Sequence, residues 1–249
     1  MAVQILTVSV FNLGVVVSEL DAIHQIAQKT LTLPALSGGR DNWLWDRTLR
    51  VLRDVEHICR LPELAEQAIS IDRFCLVAAA YFADSGLVHF AGTQKAAGQY
   101  PPADVTNVDL CNYSTQTVSG KLADVITDTR IDKINKIITE SFNRFTDVTE
   151  AMILSDGRGL EDLGAAGLLG ALRRQLIDGK GVSDILESWK RKIEYGYWRA
   201  RLEESFRFAA VRQIAEQRFA AVEQFMNQLA TENTAGDVEE QLAEMLEKK

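Results

Sequence analysis

Ala78-Ala79-Ala80-Tyr81-Phe82-Ala83-Asp84 closes an apolar stretch over residues 63–83, and the reading of that stretch decides the fold. It is a buried helix whose alanines let neighbouring helices approach closely. Upstream, residues 15–32 place Val16, Leu20, Ile23, Ile26 (or Ala27) and Leu31 at spacings of three to five, the pattern of an amphipathic helix. Pro34 and Ser37-Gly38-Gly39 end that helix. A second pattern runs from near Asp41 to Cys59 through Leu44, Thr48, Val51, Val55 and Ile58, and Leu61-Pro62 breaks it. Downstream, the signal fades from Leu87 to Asp109, where Gly92, Gly98 and Pro101-Pro102 mark a loop of about 20 residues, long enough to suggest a lid. Periodicity returns over 114–128 and 131–144. After a glycine-rich interval at 156–170, a long pattern runs from about Val182 to Glu232. No proline follows Pro102, so the remaining chain can be nearly all helix. The expectation is an all-α, single-domain helical bundle over residues 1–232, with 233–249 as a short acidic amphipathic tail.

Composition narrows the function classes. The 35 acidic side chains outnumber the 27 Lys and Arg, a net charge of −8, so no basic surplus points to nucleic acid. Cys59, Cys75 and Cys111 are an odd number without CxxC spacing, which disfavours a disulfide framework or a zinc ribbon and suits a reducing compartment. Residues 1–17 are apolar, but no Lys or Arg precedes Lys29, and Gln4, Thr7, Ser9 and Asn12 interrupt the run, unlike a secretory leader. No stretch approaches the ~20 apolar residues that span a bilayer. A cytoplasmic protein with no membrane and no nucleic-acid partner is expected.

Motif chemistry is sparse. GxSxG, HExxH, Walker A and dinucleotide fingerprints are all missing. The glycines at 157, 159, 164 and 167 have the wrong spacing for a phosphate loop and suit close helix approach instead. His24, His57 and His89 do not lie at ligand spacing from one another or from a paired cysteine. Two carboxylates stand out. Asp84 ends the most apolar helix, and Asp156 follows Ala151-Met152-Ile153-Leu154. Both are either helix-terminal turn residues, a place aspartate favours, or acids that the helices bring to one central site.

Four segments in order resemble the HD superfamily of metal-dependent phosphohydrolases, in particular its small all-helical bacterial members. They are Trp45-Asp46-Arg47-Thr48-Leu49-Arg50-Val51; Ala79 to Gly86; Glu150-Ala151-Met152-Ile153-Leu154-Ser155-Asp156-Gly157-Arg158-Gly159-Leu160-Glu161-Asp162-Leu163-Gly164; and Ile214-Ala215-Glu216-Gln217-Arg218 through Phe225, Leu229 and Glu232. The resemblance covers about residues 20–232 and implies an HD-domain-like helical bundle. It also implies a metal site of His, a His-Asp pair and a later Asp. At those positions this chain has Arg47, Ala83, Asp84 and Asp156, so both histidines are replaced, and Arg158 takes the place of the second acid of the later segment. His57 lies ten residues beyond Arg47, ~15 Å along a helix, too far to substitute.

The remnant set implies a changed chemistry. A guanidinium cannot ligate a metal but can neutralise two aspartates, so Arg47 is expected to stand in for the metal's charge. Asp84 and Asp156 offer oxygens for weak Mg²⁺ binding at most. Arg47 and Arg158 would make a persisting pocket attractive to phosphate, so a nucleotide or other phosphate ligand is an expected partner. The leading reading is a catalytically degenerate pseudo-phosphohydrolase without a cofactor, acting through ligand or partner binding. The alternative is a residual phosphohydrolase that uses Mg or Mn on a nucleotide or other phosphate ester, and a different enzyme or structural subunit on the same scaffold is a third. In the tail, Val238, Leu242, Met245 and Leu246 form one apolar stripe, and Lys248-Lys249 complement the helix dipole. The stripe is either packed on its own domain or used for self-association or partner docking through 237–249.

Overall fold

Asp72 starts the apolar helix: its carboxylate accepts the Cys75 N–H at 3.0 Å, and helix Arg73–Phe82 follows with Cys75, Leu76, Ala78, Ala79, Ala80 and Phe82 buried. The computed structural model describes residues 13–35, 38–66, 70–91 and 105–247. In chain order the helices are α1 (Leu13–Leu31), α2 (Trp43–Ile58), α3 (Pro62–Glu66), α4 (Arg73–Phe82), α5 (Gly86–Ala91), α6 (Asn107–Leu122), α7 (Asp128–Glu140), α8 (Thr149–Leu163), α9 (Ala165–Ile177), α10 (Val182–Glu194), α11 (Tyr197–Ser205), α12 (Ala209–Asn233) and α13 (Gly236–Glu247). The all-helical expectation holds, with one addition. Two strands, β1 (Leu33–Ala35) and β2 (Gly39–Asp41), pair antiparallel with Pro34 opposite Arg40. Each is three residues long, too short for alternation to show in the sequence.

One core joins α1, α2, α4, α6, α7, α8 and the start of α12, with Ile23, Val55, Phe82, Ile134, Ile137, Ile153 and Leu154 essentially inaccessible. The α2 stripe Leu44, Thr48, Val51, Val55 and Ile58 is buried and packs on α8. Gly157 allows that approach, because a Cβ there would stand 2.9 Å from a Val55 methyl. The glycine-rich interval is thus a helix-packing device: Gly159 lies against Phe206, Gly164 against Arg218 and Gly170 against Trp43. A second, smaller cluster of Ile185, Val222 and Met226 fixes α10 on α12.

Three expectations about boundaries are corrected. The weak signal at 87–109 contains α5, and α6 begins at Asn107 under a capping box between Thr106 and Asp109. The lid expected around Gly92, Gly98 and Pro101-Pro102 lies outside the described residues, as do the first 12 residues and Lys248-Lys249. The apolar stretch 63–83 comprises α3 and α4, not one helix. The long pattern from Val182 to Glu232 is three helices. Gly196, at φ +65°, turns the chain between α10 and α11, and extended Phe206 and Phe208 separate α11 from α12. On α13 the stripe Val238, Leu242, Met245 and Leu246 is more than half exposed, so these side chains are not packed on the domain.

Candidate functional site

α8 serves three neighbours because its residues advance at 3.6 per turn. Asp156 and Arg158, two apart, fall on nearly opposite sides. Arg158 and Asp162, four apart, share a face, and Gly157 and Glu161 share another that meets α2. This register decides which side chains converge. Arg47, from α2, donates through Nε to Asp84 Oδ2 at 2.8 Å and through Nη1 to Asp162 Oδ1 at 2.8 Å. Arg158 donates through Nη2 to Asp84 Oδ1 at 2.9 Å, with its guanidinium 4.5 Å from the centroid of the Phe142 ring. Arg201, from α11, donates to the second oxygen of Asp162 at 2.8 Å. Alongside, Arg50 holds the buried Glu161 at 2.7–3.0 Å.

The structure therefore joins Arg47 to Asp84, but the other members of the cluster are Arg158 and Asp162 rather than Asp156. Asp156 faces away. It is fully buried, and its two oxygens accept the N–H of Arg207 at 2.9 and 3.1 Å and that of Phe208 at 3.1 Å. Its role is to hold the break between α11 and α12. The pair Asp84 and Asp156, expected as weak Mg²⁺ ligands, is not assembled. Ala83 is buried at the end of α4, and its carbonyl accepts the Ser114 hydroxyl at 3.1 Å. Ser114 in turn accepts the Gly86 N–H at 2.8 Å, so α6 pins the turn that carries Asp84. The histidines are placed by other partners: His24 Nδ1 is hydrogen-bonded to the Tyr81 hydroxyl at 2.8 Å, His57 is exposed near the end of α2, and His89 stacks on Tyr113. Asp162, Arg201 and Ser114 were missed from the sequence. The one signal for Asp162 is its i+4 spacing from Arg158.

Electrostatics follow from burial and pairing. Burial works to raise the Asp84 pKa, but Arg47 and Arg158 overcome it and hold the carboxyl well below its ordinary range. Burial likewise opposes the charge on Arg47, and Asp84 and Asp162 more than restore it. A lowered folded pKa means that Asp84 stabilises the fold above the unfolded carboxyl value of ~3.9, and that this stability is lost as pH falls through the lower folded value. Asp156 has the opposite sign. Burial pushes it up to about 6 despite the two backbone N–H donors and Arg207. Its contribution is full below ~3.9 and is lost as pH rises through about 6. Between those limits stability should therefore fall by roughly 2–3 kcal/mol on account of this group. Urea melts from pH 4 to 7 on the parent and Asp156→Asn should show that component missing from the variant; parallel profiles would overturn it.

The donor set does not fit a divalent cation. Asp84 brings two oxygens, each already accepting from a guanidinium, and the side chains of Arg47, Ala83 and Arg158 bring no ligand atom. Among the described residues no three His, Cys, Asp or Glu side chains are grouped to hold a metal ion. A thiol nucleophile has no better support, because burial raises Cys59 and pushes Cys75 up to about 12. No described helix is long and apolar enough to cross a membrane.

The sequence matches no family model and no curated protein. Solved structures do match. YpgQ from Bacillus subtilis, crystallised in complex with ADP, is 17% identical with a TM-score of 0.58, over 88% of this chain and 96% of that one. The Lin1889 protein from Listeria innocua is 16% identical with a TM-score of 0.55, over 87% of this chain and 97% of that one. A predicted HD superfamily hydrolase from an uncultured Thermotogales bacterium is 17% identical with a TM-score of 0.50, over 86% and 92%. This chain shares the helical fold of these proteins over most of its length.

Proposed function

We propose that this chain is a catalytically degenerate HD-type protein, a pseudo-phosphohydrolase that acts by binding a ligand or partner. One observation carries the reading: both oxygens of Asp84 are taken by guanidiniums, from Arg47 and Arg158. A metal-dependent hydrolase needs that carboxylate on a cation that activates water, and a permanent Arg–Asp–Arg arrangement performs no such activation. A nucleotide is the small-molecule ligand this reading favours, supported by the ADP complex of the similarly folded YpgQ. At the centre, the buried Arg158 Nε–H has no acceptor among the described residues and is one donor open to a phosphate there. The three free cysteines agree with a cytoplasmic setting.

Metal analysis of the purified protein, with phosphate release from a nucleotide panel in Mg²⁺ and Mn²⁺, tests the reading. The expected result is no stoichiometric metal and no release. Turnover that Asp84→Ala abolishes would establish the residual phosphohydrolase instead. The exposed stripe on α13 supports self-association through residues 237–249. Deleting 234–249 should lower the assembly state seen by light scattering without changing the melting temperature; an unchanged assembly state refutes it.

A further inference from the structure

A cleft of about 630 Å³ opens between α1, α5 and α6, lined by Lys29, Ser85, His89, Tyr113, Gln116 and Lys121 among others. That volume is in the range that small organic ligands occupy. Its charge is the unusual feature. On a chain with eight more acids than bases, the lining contains two lysines and a histidine and no carboxylate. Lys29 and Lys121 are exposed, and neither forms an ion pair among the described residues. Their ammonium groups are free for an anion. One wall carries an aromatic stack: the His89 and Tyr113 rings lie face to face, with centroids 3.7 Å apart and planes 13° from parallel, which leaves an outer face of the stack for a ligand. Phe90 meets both rings edge-on at 5.2 Å and holds the stack in place. Neither Asp84 nor any arginine of the central cluster lines this space.

We infer that the cleft between α1, α5 and α6 binds a flat aromatic ring carrying phosphate, with the ring extending the His89–Tyr113 stack on its outer face and the phosphate between Lys29 and Lys121. Aromatic faces take any planar ring by stacking, and a lysine serves a phosphate as a mobile point charge. The inference rests on the reading that the chain binds such a ligand without turning it over, and it places the ligand outside the inert centre.

Calorimetric titration with ADP, diphosphate alone and adenosine alone tests it, using the full chain without added metal. ADP should bind more tightly than either fragment. Lys29→Gln and Lys121→Gln should each weaken ADP roughly threefold, and about tenfold together. Tyr113→Leu should cost about tenfold, and adenosine should lose as much. The lysines are exposed, so their variants remain folded even if Tyr113→Leu does not. ADP binding that survives the double lysine variant but fails in Arg158→Gln overturns the location while leaving the ligand class intact. No heat with ADP overturns the inference outright. Metal content and turnover, measured separately, still decide whether the centre is inert.

Discussion

Asp84→Ala lowers the stability of the fold by about 3–5 kcal/mol, the range for removing one partner of a buried ion pair. The side chain is 7% exposed, and it neutralises Arg47 and Arg158, which are 16% and 18% exposed. Arg47 keeps Asp162 when Asp84 is gone, but Arg158 loses its counter-charge inside the domain. Arg47→Ala is milder, because Asp84 keeps Arg158 and Asp162 keeps Arg201. For a chain of this length the Asp84→Ala loss corresponds to a melting-point drop of about 10 °C. Differential scanning calorimetry at pH 7 reads it directly. Converting Arg47, Asp84 and Arg158 together to apolar residues of similar volume should restore most of the loss, as apolar replacements of buried ion clusters often do. A loss below ~1 kcal/mol for Asp84→Ala would mean that the cluster behaves as a solvated surface network.

Gly86→Ala is expected to cost about 3 kcal/mol, at the upper end for overpacking. A Cβ at Gly86 would overlap the Leu110 carbonyl oxygen and stand 3.0 Å from both the Leu110 carbonyl carbon and the Ser114 hydroxyl. A backbone carbonyl inside α6 cannot swing aside as a side chain can, so α5 and α6 must separate. That separation also strips the Gly86 N–H and the Ala83 carbonyl of their shared partner, Ser114. Chemical denaturation of Gly86→Ala checks the cost. Gly38→Ala is the control for loss of a glycine in itself: its φ of +77° makes it strained, yet nothing crowds its Cβ. A Gly86 variant no worse than the Gly38 variant would refute the packing argument.

The helical architecture was legible because its information is local: apolar residues at helical spacing, few breakers and no proline after Pro102. The pairing of Arg47 with Asp84 was also legible, since an acid at the end of an apolar helix needs a cation nearby. What escaped was set by long-range geometry. The separation of α11 from α12 contains no proline or glycine; it is held by Asp156, 51 residues upstream, through the Arg207 N–H. The choice between Asp156 and Arg158 as the residue that meets Asp84 depends on the rotation of α8, which the local sequence does not specify. Asp162 looked like any helix acid. Its two arginines come from α2 and α11, 115 and 39 residues away in sequence.

The sharing of Asp84 and Asp162 among three arginines has a historical consequence. Side chains joined in one charge network do not contribute additively, so each substitution is judged against the state of the others. Arg47→His alone would withdraw a cation from both aspartates while Arg158 still blocked the remaining carboxylate oxygen, and no metal could compensate. Arg158→Asp alone would set a second acid beside Asp84 with Arg47 as its one cation. Each of these two steps unbalances the network, and a liganding set needs several changes present together. On the proposed reading, the centre therefore gains no metal by one substitution at a time, while the surface clefts lie outside the network and can change without disturbing it.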